Sequence, residues 1–185
     1  MSIETEWSPL VQQAVFRVLL EATSRPGRIF DLPSVQRELD PVMGVLATLV
    51  DGAVSLHDRT SSLDDRTWNF LQAHRAGSEK AGFILARGSE PPDFDPCPGT
   101  LESPEDGATL ILLVSSLGSG PVHLKCQGPG IETLHTLSLE GLDPTWLAAR
   151  DRWNSAFPLG VDMVLMDDWR VCALPRTTRV KTDQD

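Results

Sequence analysis

Tyrosine is absent from this 185-residue chain, and lysine occurs only three times, as Lys80, Lys125 and Lys181. Acidic residues outnumber basic ones 26 to 16, which sets the formal net charge at -10 and the pI near 4.8. Nucleic-acid binding requires a basic face, and an acidic chain with no long basic run is a poor candidate for it unless its charges segregate. Cysteine is as scarce: Cys97, Cys126 and Cys172 are odd in number, widely spaced and without a CxxC pair. That excludes a structural zinc site by spacing and points to free thiols in a reducing cytoplasm. The opening MSIETEWSPL is acidic and has no apolar signal core, so a cytoplasmic location is expected. The longest apolar run, Leu110 to Val114, is far too short to span a bilayer. Internal repeats and heptads are also missing.

What is present is an ordinary globular composition, 41% hydrophobic and 23% charged. A chain of this length buries a core without staples, and a single domain over residues 1–185 is expected. Ser8-Pro9 reads as a helix start, with Ser8 as cap and Pro9 at the first helical position. Apolar residues recur at helical spacing from Leu10 to Ala22, and Pro26-Gly27 ends the helix. Asp40-Pro41 and Asp143-Pro144 repeat that start signal before residues 42–50 and before the Trp146, Leu147, Ala149, Trp153 stripe. Ser62 with Asp65 resembles a capping box for a helix reaching towards Gly77. Strands are expected near 29–32, 53–57, 81–86, 108–117, 122–126 and 133–139, with a closing hairpin of 161–166 and 170–174 around Asp167-Asp168. Residues 88–107 are rich in proline, glycine and acid and predict an irregular loop, either a solvent loop or a segment that wraps a partner. The end of the chain, 181–185, is expected to fray. The elements add up to an α/β fold with one central mixed sheet flanked by helices.

Most catalytic chemistry is excluded by pattern. His57, His74, His123 and His135 form no HxH, HExxH or HxxxH motif, and only His123 with His135 invites a check for a cross-strand metal pair. There is no GxSxG elbow. The SSLGSG run at 115–120 lacks the GK[ST] ending of a phosphate loop and reads as a hairpin turn. Two clusters remain. Ser24-Arg25-Pro26-Gly27-Arg28 sets Arg25 and Arg28 beside a helix end, and Arg176 is followed by the hydroxyls of Thr177 and Thr178. Arginine with hydroxyl donors suits a phosphate or a partner carboxylate. Hairpin geometry brings Asp162 within reach of Arg176, as an orienting partner or as a purely structural ion pair. Five tryptophans and six phenylalanines, Trp7 and Trp153 among them, suggest that the chain associates, as a homodimer when isolated.

These clusters carry a resemblance. FRVLLEATSRPGRI (16–29), GATLILLVSSL (107–117), CQGPGI (126–131), and FPLGVDMVLMD with LPRTTRV (157–180) resemble, in order, the PhnH family of the bacterial carbon–phosphorus lyase system. The resemblance implies a fold similar to a reduced pyridoxal-phosphate-dependent transferase of the aspartate-aminotransferase type, without the cofactor or its lysine. The settings of Lys80, Lys125 and Lys181 agree with that. It implies partners, the G, I and J subunits, and a role in coupling an alkylphosphonate to the ribose of ATP with release of adenine. The chain would be an accessory subunit with no independent activity. The other class left open is a subunit that itself binds ATP or a phosphonate and lends residues to a transferase site.

Overall fold

The computed structural model describes residues 8–33 and 40–182. The expectation about Trp7 and that about residues 183–185 lie outside them. In order, the elements are α1 (Pro9–Ser24), β1 (Phe30–Asp31), α2 (Pro41–Leu49), β2 (Ser55–Asp58), α3 (Asp65–Leu71), β3 (His74–Arg75), β4 (Phe83–Arg87), a 3-10 turn (Pro104–Asp106), β5 (Thr109–Leu113), β6 (Ser116–Gln127), β7 (His135–Glu140), α4 (Thr145–Trp153), β8 (Asp162–Met166), β9 (Arg170–Leu174) and β10 (Arg179–Thr182).

The first two helices start where their Ser-Pro and Asp-Pro pairs dictate. The Ser8 hydroxyl accepts from Val11 N at 3.3 Å and the Asp40 carboxylate from Met43 N at 2.9 Å. Each satisfies one of the backbone donors orphaned at a helix start, and proline behind the cap has no N–H to lose. The third helix departs from its expected cap. Asp64, not Ser62, accepts from Thr67 N at 2.7 Å, because the Ser62 hydroxyl lies 2.5 Å from that of Thr60. It also ends early, at Leu71, where Gln72 turns left-handed (φ 58) and the chain drops into β3.

Two sheets form, not one. The larger has seven strands in the order β1-β9-β8-β5-β4-β2-β3, with β3, β2, β4, β5 and β8 parallel and the β8–β9 and β1–β9 pairs antiparallel. The second is antiparallel, β10-β6-β7. The apolar run that promised one strand over 108–117 is shared between them. Val114 N still bonds Met166 O in the first sheet, but Ser115 N bonds Glu140 O in the second. The SSLGSG run is therefore no hairpin turn. It is the start of β6, bulged between Leu117 and Val122, with Gly118 and Gly120 at positive φ. Lys181 and Thr182 are not frayed but pair with Lys125 and Leu124, since Val180 is buried opposite Cys126 and fixes the register.

The large sheet is buried on both faces, and alternation sorts its residues. Leu85, Ile111, Val164, Met166, Val171 and Ala173 face α1–α3. Ile84, Leu110, Leu112, Met163, Leu165 and Leu174 face α4 and the small sheet. This two-sided cover explains why β5 and β8 read as unbroken apolar runs. Each leucine or valine so buried contributes about 1.5–3 kcal/mol. The flanking layer thus differs from the expected helices on both sides: one face is helical, the other mostly sheet.

The β4–β5 crossover, residues 88–107, replaces a helix with an anchored strap. Phe94 stacks on Trp153 and meets Trp146 edge-on, both at 6.0 Å between centroids. The Asp95 carboxylate accepts from Trp153 Nε1 at 2.8 Å, and Trp146 Nε1 donates to Glu90 O at 2.7 Å. Arg59 lies over the Phe94 ring and bonds Asp93.

Candidate functional site

The two arginine-bearing clusters and the GPG turn come together as three adjoining turns at one junction. The 25–28 turn is tied to the large sheet by Gly27 N, which donates to Ala173 O at 3.1 Å. Against it lies the 128–130 turn: at Gly130 (φ 81) any Cβ would strike the Ser24 carbonyl and come within 2.9 Å of Pro26 Cδ. Only glycine fits that approach and that φ. On the far side Gly128 (φ 143) places its would-be Cβ 2.9 Å from the Thr177 carbonyl oxygen.

Beneath the third turn, Arg176 and Asp162 make the contact that hairpin geometry predicts. Arg176 Nη2 lies 2.7 Å from Asp162 Oδ2, and the Arg176 backbone N–H donates to Oδ1 at 2.7 Å. The rest of the guanidinium turns inward. Nη1 donates to Pro104 O at 2.7 Å and to Pro158 O at 3.4 Å. The side chains are 12% and 35% exposed. Arg176 therefore closes the end of the strap onto the start of β8 rather than aiming a free fork outward. Thr178 is 2% exposed and its hydroxyl has no hydrogen-bond partner among the described residues. Thr177 is exposed. Arg25 is half-exposed and pairs with Glu21 at 3.4 Å, while Arg28 is exposed with no side-chain partner among the described residues. The outward donors of the junction are thus Arg25, Arg28 and Thr177; Asp162, Arg176 and Thr178 lie behind them.

Arg150 completes the junction, a residue that sequence pattern alone did not single out. It is 2% exposed, and its Nη2 donates to Pro175 O at 2.7 Å and Thr178 O at 2.8 Å. Burial pushes its pKa down, opposed chiefly by the charge of Asp151. The signal was available: residue 150 falls one turn from both Trp146 and Trp153, on the buried stripe of α4. Asp167, expected as a bare hairpin tip, is also a structural tie. Its carboxylate accepts from Leu117 N at 2.9 Å and pairs with Arg170 at 2.6 Å, joining the two sheets.

A cavity of about 230 Å³ lies beside Asp162, lined by Leu19, Thr23, Thr109 and Ala173 among others. It offers little chemistry, since Asp162 is spent on Arg176 and the Thr23 hydroxyl on Leu19 O at 2.9 Å. The histidine pairing fails by register: His123 sits opposite Ser138 and His135 opposite Cys126. The described residues contain no group of three or more side chains placed to hold a metal. Burial pushes the Cys126 thiol up to about 11 and Cys172 higher still, which makes both poor nucleophiles. The junction is built to fix three turns and present two arginines; it carries no convergent acid, base and nucleophile.

Comparison with known proteins shows the family. The profile of the bacterial phosphonate metabolism protein family, PhnH, matches residues 4–181. A C-P lyase subunit protein, HtxG, of Stutzerimonas stutzeri is 41% identical over 174 residues, covering 94% of this chain and 88% of that protein. The PhnH subunit of the alpha-D-ribose 1-methylphosphonate 5-triphosphate synthase of Rhizobium meliloti (strain 1021) is 29% identical over 187 residues, covering 92% of this chain and 90% of that protein. The chain belongs to the PhnH family of bacterial phosphonate metabolism proteins.

Proposed function

We propose that this chain is an accessory, non-catalytic subunit of a carbon–phosphorus lyase assembly, acting where an alkylphosphonate is coupled to the ribose of ATP. The observation that carries the reading is the near full-length likeness to a C-P lyase subunit. The junction supports it, because its polar groups are committed to the fold instead of converging on a cavity. The partners in this reading are the G, I and J subunits, with a homodimer formed when the chain is alone, in the cytoplasm. No described helix is long and apolar enough to cross a membrane. The reading also takes the seven-stranded sheet as a reduced transferase sheet of the pyridoxal-phosphate type that works without that cofactor. Arg25, Arg28 and Thr177 are the proposed contacts to a partner carboxylate or a bound phosphate, with Asp162, Arg176 and Thr178 supporting their turn. Co-expression with G, I and J subunits tests this. A tagged chain is expected to retain all of them through gel filtration, and Arg28→Glu to weaken that retention without lowering the melting temperature. A chain that elutes free of them contradicts the reading.

A further inference from the structure

A second cavity, of about 330 Å³, opens at the other end of the molecule from Arg176, outside the carboxyl ends of β2 and β3. It lies beside the sheet's topological switch point, not in it. The chain leaves β2 for β3 on one side and leaves β4 for β5 on the other, so the neighbours β2 and β4 flank a switch point. Parallel sheets bind ligands in the crevice beyond such a point. Directly over β2 and β4 the crevice is filled, because Arg87 Nη1 donates to Thr60 O at 3.1 Å and Arg59 packs on Phe94. The open part is displaced towards β3, where His57, Ser61, Leu63, Trp68 and Arg75 line it.

The lining is polar and underused. Ser61 is exposed in a left-handed conformation (φ 54), and neither its hydroxyl nor its N–H has a partner among the described residues. The turn that Asp58 closes by accepting from Thr60 N and Leu63 N holds Ser61 in that conformation. Arg75 lies over the Trp68 ring, 4.6 Å from the centroid, which holds the guanidinium at the rim. Its ion partner, Asp65 at 2.9 Å, has a 94% exposed side chain, a contact of little worth that a ligand can displace. Nδ1 of His57 lies 2.8 Å from the Ala76 carbonyl oxygen, which only accepts, so the neutral imidazole carries its proton on Nδ1 and its lone pair on Nε2. Asp58, the carboxylate on the floor, accepts from Thr60 N, the Thr60 hydroxyl and Leu63 N.

We infer that this cavity is a binding site for a small tetrahedral oxyanion that still carries a proton, the chemistry shared by hydrogen phosphate and an alkylphosphonate monoanion. Arg75 and Ser61 donate to the charged oxygens, and the imidazole of His57 takes the P–OH. Leu63 and the edge of Trp68 receive an apolar substituent on phosphorus. The volume sits at the lower end of the ~300–1,000 Å³ range of small-molecule sites. The inference stands independently of the accessory role, since it concerns the isolated chain.

The test is titration of the purified chain with inorganic phosphate, methylphosphonate, sulfate and acetate, followed by calorimetry and phosphorus NMR line width. Saturable binding of phosphate and methylphosphonate is expected, with sulfate and acetate much weaker. Arg75→Gln should weaken binding by about tenfold, the scale of a charge-assisted bond. Ser61→Gly should weaken it several-fold while leaving the melting temperature unchanged or raised, and Arg28→Gln should leave binding untouched. A preference for methylphosphonate over phosphate supports the Leu63 and Trp68 assignment; equal affinity supports the oxyanion site and removes that assignment. No saturable binding of either phosphorus anion, equal binding of acetate, or unchanged affinity in Arg75→Gln would overturn the inference.

Discussion

Arg176 spends its donors on the Asp162 carboxylate and on carbonyl oxygens of the strap and of the turn before β8. Arg176→Ala takes the guanidinium from that carboxylate and from those carbonyls together, and leaves Asp162 only the backbone N–H of residue 176 among the described residues. A fully buried pair broken this way costs about 3–5 kcal/mol, and the 35% exposure of Asp162 lets water recover part of it, so a loss of about 2–3 kcal/mol is expected in urea unfolding. An unchanged midpoint would return Arg176 to a surface role. The cysteines give a second check at this scale. Cys126 and Cys172 are buried with raised pKa values, whereas Cys97 is half-buried in the strap. Native protein should therefore react with a thiol reagent at Cys97 alone on the minute scale, and at all three cysteines once unfolded. Fast native labelling at Cys126 would mean that the small sheet lifts off the large one.

At the scale of elements, the strap over residues 88–107 decides whether one face of the sheet stays covered. Asp95 is a fastener: hydrogen bonds from Trp153 and then Arg152 hold its carboxyl below the ordinary value of 3.8. A folded-state pKa below the unfolded one stabilises above that range and loses the contribution as pH falls through it. The stability difference between wild type and Asp95→Asn is thus expected to be present at neutral pH and to close below pH 3.8. Phe94→Ala, which removes the ring from between two tryptophans, should cost about 2 kcal/mol and speed amide exchange across the strap. Equal exchange in the two proteins contradicts the anchored strap. Proline, glycine and acid predict a loop here, and the segment is irregular as expected. Its anchoring was not legible, because the two tryptophans that hold Phe94 lie about 50 residues and more away in sequence. The same limit explains the second sheet. Alternation made 122–126 a legible strand, but nothing local says that Ser115 changes sheets or that Val180 pairs opposite Cys126. Capped helix starts at Ser8 and Asp40 and the Asp162–Arg176 contact were legible because each depends on residues near in sequence or on one hairpin. Arg150 was legible in principle, by helical spacing from Trp146, but a charge on a helix stripe ordinarily marks surface.

At the scale of the molecule, the two sheets and four helices of the described residues hold three turns in a fixed junction at one end and leave a polar cavity at the other. Three of the stretches that carry the PhnH resemblance contribute the turns of the junction: 24–28, 126–131 and 175–178. That they serve one another is consistent with a subunit whose shape is its function. The most direct measurement is adenine release from ATP and methylphosphonate by the reconstituted G, I and J subunits, with this chain present and omitted. The account predicts release only when the chain is present, and no release by the chain alone. Undiminished release without it, or release by the isolated chain, would contradict the account.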